Sequence, residues 1–214
     1  MIVVVGNPVA RPSTDGPAAA GGLPARVAIA AVAAGGSAQI VGRVGEDPAG
    51  EAVLLDLARH GVGHAAVLRD PTRPTQVTAA EPDDDAIDDA GAGDGAAEAS
   101  ISTLDAADLQ LAFDYLPEYA VIVVAESLAP RTLAVAVGAA TWSGSALVVV
   151  GSGGFEGLPD TATVFEPPEH GDPDGAFAAM VGGYAAGLDR GEDPKAAFDA
   201  ASSAVGSSAT NQVR

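Results

Sequence analysis

Runs of consecutive apolar residues without polar alternation are the feature that most constrains this chain. Ile2-Val-Val-Val5, Ala120–Ala125 and Ala146–Val150 are the clearest, Ala65–Leu68 is a shorter version, and Ala38–Val41, broken by Gln39, also reads as a strand. A strand with one wet face alternates apolar and polar residues, whereas a continuous run is buried on both faces, as in a parallel sheet covered by helices. Between these runs lie Ala-rich segments with helical spacing. Arg26–Ala34 is closed by Gly35-Gly36, and Pro48–His60 carries Val53, Leu54, Leu57 and Ala58 and stops at Gly61. Leu104–Tyr115 has Asp105 near its start, and Arg131–Ala140, Gly175–Leu188 and Pro194–Val205 complete the set. Strand and helix in alternation predict an α/β fold, a three-layer sandwich with a mostly parallel sheet and helices on both faces. Arg11–Gly22, rich in Pro, Gly and Ala, reads as a loop. No repeat of fixed period interrupts this order. The 214 residues read as a single domain spanning residues 1–214.

Charge excludes several functions. The formal net charge is -19, and Lys195 is the single lysine among ten basic residues. Nucleic-acid binding calls for a basic patch, and none is visible. The carboxylates are spread along the chain, which reads as a solvated acidic surface of the kind found in proteins adapted to high salt. Without cysteine there are no disulfides and no thiolate metal sites. His60 and His64 are separated by Gly61 and Gly63, which argues against a helical metal pair and for turn residues, and no metal site is expected. With one lysine and no Gly-rich loop before it, P-loop chemistry is absent, as are a Gly-x-Ser-x-Gly elbow and a complete Gly-x-Gly-x-x-Gly. No segment reads as a signal peptide or membrane span, so the expected location is the cytoplasm, with no membrane partner.

Several motifs occur in family order. Gly21-Gly-Leu-Pro-Ala-Arg-Val-Ala28 is followed by Ile40-Val-Gly-Arg-Val-Gly-Glu-Asp-Pro-Ala-Gly50, Leu54–Val62 and Arg69-Asp-Pro-Thr-Arg-Pro-Thr75. Together they resemble the opening third of the ribokinase (PfkB) family of sugar and nucleoside kinases. Near the C-terminus, Asp172–Leu188, "DPDGAFAAMVGGYAAGL", resembles the family's Asp-Thr-x-Gly-Ala-Gly-Asp-Ala-Phe and the small-residue helix after it.

The resemblance implies a ribokinase-like sandwich, ATP and Mg²⁺ as cofactors, a sugar or nucleoside as substrate, and Gly21, Gly22, Arg26, Gly45 and Asp47 as substrate-binding positions. It also implies that the turn Gly175, Ala176, Phe177, Ala178 is the anion hole. In the family, backbone N–H groups of this turn hold the transferring phosphate and the Asp closing it takes the proton from the sugar hydroxyl. A helix start suits this role because its N–H groups are unpaired and lie at the positive end of the dipole. Aligned without a gap, Phe177 replaces the second Gly and Ala178 replaces the catalytic Asp. A second register pairs Gly171-Asp-Pro-Asp174 with Gly-Ala-Gly-Asp, at the expense of displacing the helix by four residues.

These departures predict an impaired or inactive kinase homologue retained for binding or regulation, a pseudokinase. An active kinase using Asp172 or Asp174 is the alternative, and a structural protein pairing with itself or with another kinase is a third reading that leaves a homodimer open. Asp172 and Asp174 also suit helix capping. Arg26 stands in place of a family Asn and suits an anion or a surface carboxylate. The Asp expected after the first strand has only Asn7 or Asp15 nearby. The family's Asn-x-x-Glu is missing, and residues 76–103 read as a reduced lid or acidic linker. Within them Ala90-Gly-Ala-Gly-Asp-Gly95 imitates the catalytic string, but it sits mid-chain in the acidic stretch Glu81–Glu98 and opens no apolar helix, so it reads as linker.

Overall fold

A computed structural model describes residues 1–13, 16–78, 104–116, 118–153 and 155–211. A six-stranded sheet with every neighbouring pair parallel forms the middle layer, in the order β5-β4-β1-β6-β7-β8. Its strands are β1 (Ile2–Val5), β4 (Ala38–Gly45), β5 (Gly63–Asp70), β6 (Val121–Val124), β7 (Ala146–Val150) and β8 (Thr163–Phe165). The apolar runs occupy the centre, and alternate residues of each feed opposite layers. Ile2, Val4, Val121, Val123, Val148 and Val150 pack with α1 (Gly22–Ala33), α2 (Pro48–Arg59) and α5 (Ala176–Asp189). Val3, Val5, Ile122, Val124, Leu147 and Val149 pack with α3 (Ala106–Tyr115) and α4 (Pro130–Ser143). Each fully buried Val or Ile contributes about 1.5–3 kcal/mol, so this doubly covered sheet is the main source of stability. α6 (Pro194–Asn211) packs Ala197 and Ala201 into the core on the α5 side.

Local signals place the helices. Asp47 caps α2 ahead of Pro48, with Glu51 in the first turn and Arg59 in the last. Asp105 and Asp108 form a reciprocal capping box at the start of α3. Where α5 crosses α1, a Cβ on Gly182 would stand 2.7 Å from the Ala30 Cβ and 2.7 Å from the Ala31 nitrogen. The small side chain there sets how closely the two helices approach.

Three sequence expectations are corrected. Arg11–Gly22 is not a plain loop, because it contributes to an antiparallel ribbon of β2 (Val9–Arg11) and β3 (Ala19–Gly21). Ala10 extends this ribbon by donating to the Gln76 carbonyl at 2.8 Å and accepting from Thr78 N–H at 2.9 Å. The ribbon is completed by contacts distant in sequence, to Gln76 and Thr78, that neither Gly nor Ala advertises. Residues 79–103, including Ala90–Gly95, lie outside the described residues, as does Asp15. Strand β8 is missed by the sequence reading, being only three residues long. His60 closes α2 as a turn residue would, but His64 sits within β5.

Candidate functional site

Strands β4 and β5 follow β1 on one side of the sheet, and β6, β7 and β8 extend it on the other. The chain thus changes direction between β1 and β6, and in open parallel sheets the crevice beyond the carboxyl ends of such a pair is where ligands bind. Gly6-Asn7 leaves β1 there and Ala125-Glu126 leaves β6. Glu126 Oε2 accepts from the Asn7 N–H at 2.5 Å, and Glu126 Oε1 accepts from Asn7 Nδ2 at 3.2 Å. The Asn7 Oδ1 accepts in turn from the Arg43 N–H at 2.7 Å. Burial raises the pKa of Glu126, against the opposing effect of the two bonds from Asn7. The backbone at Gly6 has φ +147°, and a Cβ there would lie 2.5 Å from Pro24 Cγ and 3.0 Å from Glu126 Cβ. Glycine is required for the chain to turn that closely.

Arg43 ties this corner to its surroundings. Its Nη2 is 2.6 Å and its Nε 2.8 Å from Asp108 Oδ2 on α3, and its Nη1 is 3.4 Å from Asp70 Oδ2. The predicted substrate residues Gly45 and Asp47 belong to a neighbouring pin. Asp47 Oδ1 accepts from Gly50 N–H and from Thr75 Oγ1, each at 2.7 Å, while Asp47 Oδ2 accepts from Thr75 N–H at 2.7 Å. Thr75 Oγ1 accepts from Gly45 N–H at 2.8 Å. Burial acts to raise the Asp47 pKa, but the hydrogen bonds from Thr75 and Gly50 outweigh it and hold the carboxyl below its ordinary value. Gly21 and Gly22 bring the ribbon onto the start of α1, since a Cβ on Gly21 would lie 3.1 Å from Arg11 Cβ and one on Gly22 3.2 Å from Val9 Cγ2.

Arg26, on α1, reaches elsewhere, to the start of α5. Its Nη2 is 3.3 Å from Asp172 Oδ2, and the same group donates to the Asp172 carbonyl. The Asp172 carboxylate also accepts from Phe177 N–H at 2.9 Å and from Ala178 N–H at 3.0 Å. Donors of the predicted anion hole are therefore taken by a carboxylate of the protein itself. The Ala178 side chain is 1 % exposed and belongs to the core. A cavity of about 420 Å³ opens beside the helix start, and Ala178 is not among its lining residues. That cavity is lined by Asp172, Asp174, Phe177 and Met180 among others, and Asp174 is exposed on its rim.

The structure thus sorts the predicted residues into two groups, Arg26 with Asp172 and the α5 turn, and Gly45 with Asp47 and Thr75. Glu126 and Arg43 are missed by the sequence reading. The signal for Glu126 was present, as a single carboxylate directly after a central apolar strand. Among the described residues no three His, Asp or Glu side chains cluster as a metal site. No described helix is long and apolar enough to cross a membrane.

A parallel sheet between two helical layers, with polar side chains gathered beyond its carboxyl edge, defines a doubly covered α/β protein. The profile of the pfkB family of carbohydrate kinases matches residues 13–149, more than half of the chain, and the chain belongs to that family. No curated protein matches it. Among solved structures it is similar to the apo fructokinase of Vibrio cholerae O395, with 17% identity, TM-score 0.66, and 99% of this chain and 98% of that one covered. It is also similar to an E. coli protein assigned as a ribokinase II, solved with ATP and Mg²⁺, with 15% identity, TM-score 0.64, and coverage of 94% and 90%. The Arabidopsis thaliana ribokinase complexed with ribose and ATP gives 14% identity, TM-score 0.60, and coverage of 95% and 90%. At these identities the likeness is one of fold.

Proposed function

We propose that this chain is a single-domain carbohydrate-kinase homologue that keeps a binding fold while its phosphoryl transfer is impaired. The observation that carries this reading is the start of α5. Phosphoryl transfer depends on free donors at the transferring group and a base beside the acceptor hydroxyl. Here Asp172 occupies the Phe177 and Ala178 N–H groups, and position 178 supplies only a buried methyl. Loss of a general base alone lowers turnover roughly 100- to 10,000-fold. In this arrangement the entrance to α5 does not fit a phosphoryl group. Kinship with fold relatives solved with ribose and with ATP supports a sugar or nucleoside as the ligand class, with ATP and Mg²⁺ as the family's cofactors.

A coupled ADP-release assay against a panel of sugars and nucleosides tests the reading, alongside calorimetry with the same panel. Both measurements are made at high salt, which screens a formal net charge of -19. The expected result is heat from a sugar or nucleoside without ADP release above background. Asp174, exposed at the cavity, supports one rival reading, an active kinase with a displaced base. Turnover that Asp174→Asn abolishes would establish that rival instead.

A further inference from the structure

Among the described residues the two most exposed large apolar side chains are Trp142, 88% exposed, and Tyr115, 78% exposed. Trp142 is the single tryptophan of a chain with 4% aromatic residues. Isolated apolar side chains on a surface are ordinary, but these two share one layer. Tyr115 ends α3, and Trp142 stands in the last turn of α4. The two helices pack side by side over Val3, Val5 and Ile122. They lead into the neighbouring parallel strands β6 and β7, so both finish at the edge of the molecule opposite the carboxyl ends of the strands.

The outward side of α4 is self-complementary. Thr132, Leu133, Ala136 and Ala140 are buried, and Arg131, Ala134, Gly138 and Trp142 are exposed along the other side. Steps of three and four residues set these four on one stripe. No carboxylate lies between Glu126 and Glu156, so α4 adds nothing to the net charge of -19 that holds copies of this chain apart. Arg131 sits in the first turn, at the positive end of the helix dipole, and none of the described ion pairs includes it. Trp142 lies roughly 16 Å further along the axis, with Ala134 and Gly138 between them. A two-fold axis through that midpoint lays α4 antiparallel on its copy. Each Arg131 then meets the indole of the other copy's Trp142 and the negative end of the other helix. A Cβ on Gly138 would meet nothing within 4 Å, so the chain itself leaves the crossing point clear. A cationic protein would find no carboxylate on α4, and an anionic one would find one arginine beside an indole, whereas a second copy matches both ends at once. We propose that α4, with Tyr115 of α3 at its end, is the docking surface for a second copy of this chain, in a two-fold dimer that sets each Arg131 against the other copy's Trp142. The carboxyl edges of both sheets stay open in such a dimer, so it stands independently of the functional reading above.

The test is sedimentation of the full chain over a concentration series at low and high salt, with tryptophan emission and acrylamide quenching recorded on the same samples. Two helices a side make a small interface, so dimerisation is expected in the micromolar range. Emission should move to the blue and quenching should fall as the dimer forms, because the one indole enters the interface. Rising salt should tighten the dimer by screening two like-charged copies. Trp142→Ala should weaken it roughly thirtyfold or more, as loss of a central aromatic anchor does. Arg131→Ala should weaken it roughly two- to fivefold. Should Trp142→Ala fail to fold, Gly138→Glu plants a carboxylate at the open crossing point and should abolish the dimer. A chain that stays monomeric with quenchable emission leaves the face to some other molecule and overturns the proposal. So does a dimer whose emission does not change, one that a folded Trp142→Ala or Gly138→Glu protein still forms, or one that weakens as salt rises.

Discussion

Among the helices that begin under an aspartate, α2 and α5 do so differently. At α2, Asp47 is the residue immediately before the helix, and it caps Gly50 three residues on while its other oxygen holds Thr75. At α5, the residue immediately before the helix is Gly175, which has no side chain to cap with, and the carboxylate comes from Asp172. The first cap is local and built into a pin that joins β4, α2 and the Pro74-Thr75 turn. The second is remote, and it depends on Arg26 and on the packing of α1 against α5. The local cap fixes a single helix start, whereas the remote one couples the start of α5 to α1 through the Arg26–Asp172 salt bridge.

This contrast can be broken most severely at Asp47. Asp47→Ala removes a cap and strands the Thr75 N–H, and should lower stability by about 2–4 kcal/mol. Chemical denaturation would check this, and a loss under about 0.5 kcal/mol would show that the pin is dispensable. Gly182→Ala comes next. The new methyl would meet α1 at 2.7 Å and should cost about 1–3 kcal/mol while loosening the Arg26–Asp172 contact. Hydrogen exchange at the Phe177 and Ala178 amides should rise with it, and unchanged exchange would show that α1 packing does not control the α5 entrance. Asp172→Ala removes the α5 cap and a partly exposed ion pair with Arg26, and should cost about 1–2 kcal/mol; thermal melts would rank it against Asp47→Ala.

The smallest effect is in pH dependence, and its sign separates two carboxylates. Asp47 has a pKa below its ordinary 3.8, so its stabilisation is complete above that value and fades as pH falls through the lower, folded pKa. Glu126 has a pKa above its ordinary 4.5, so the folded state holds its proton more tightly and stability declines as pH rises from 4.5 through the folded pKa. Melts across the acid range should show Asp47→Asn flattening the acid-side loss and Glu126→Gln removing the decline on the other side. Parallel curves for the two variants would contradict this assignment.

Much of the architecture was legible before any coordinates. Short β-branched apolar runs such as Ile2–Val5 and Ala146–Val150 read as buried strands, and Asp47-Pro48 and Asp105–Asp108 mark helix starts because capping acts within a single turn. The motifs from Gly21 to Thr75 pointed to the family whose profile the chain matches. The ribbon of Val9–Arg11 and Ala19–Gly21 was not legible, because Ala and Gly carry no strand pattern and its pairing reaches Gln76 and Thr78.

The site shows the same division. Sequence by itself determined which residue types stand at the turn before α5, including the replacement of a carboxylate by Ala178 in the gapless register. Tertiary structure alone decided what those residues touch. Arg26 and Asp172 meet across a sequence separation of 146, and Asn7 and Glu126 across 119. Helix periodicity and capping are written into neighbouring residues, whereas a salt bridge or a shared carboxylate depends on where the sheet brings distant segments to its edge.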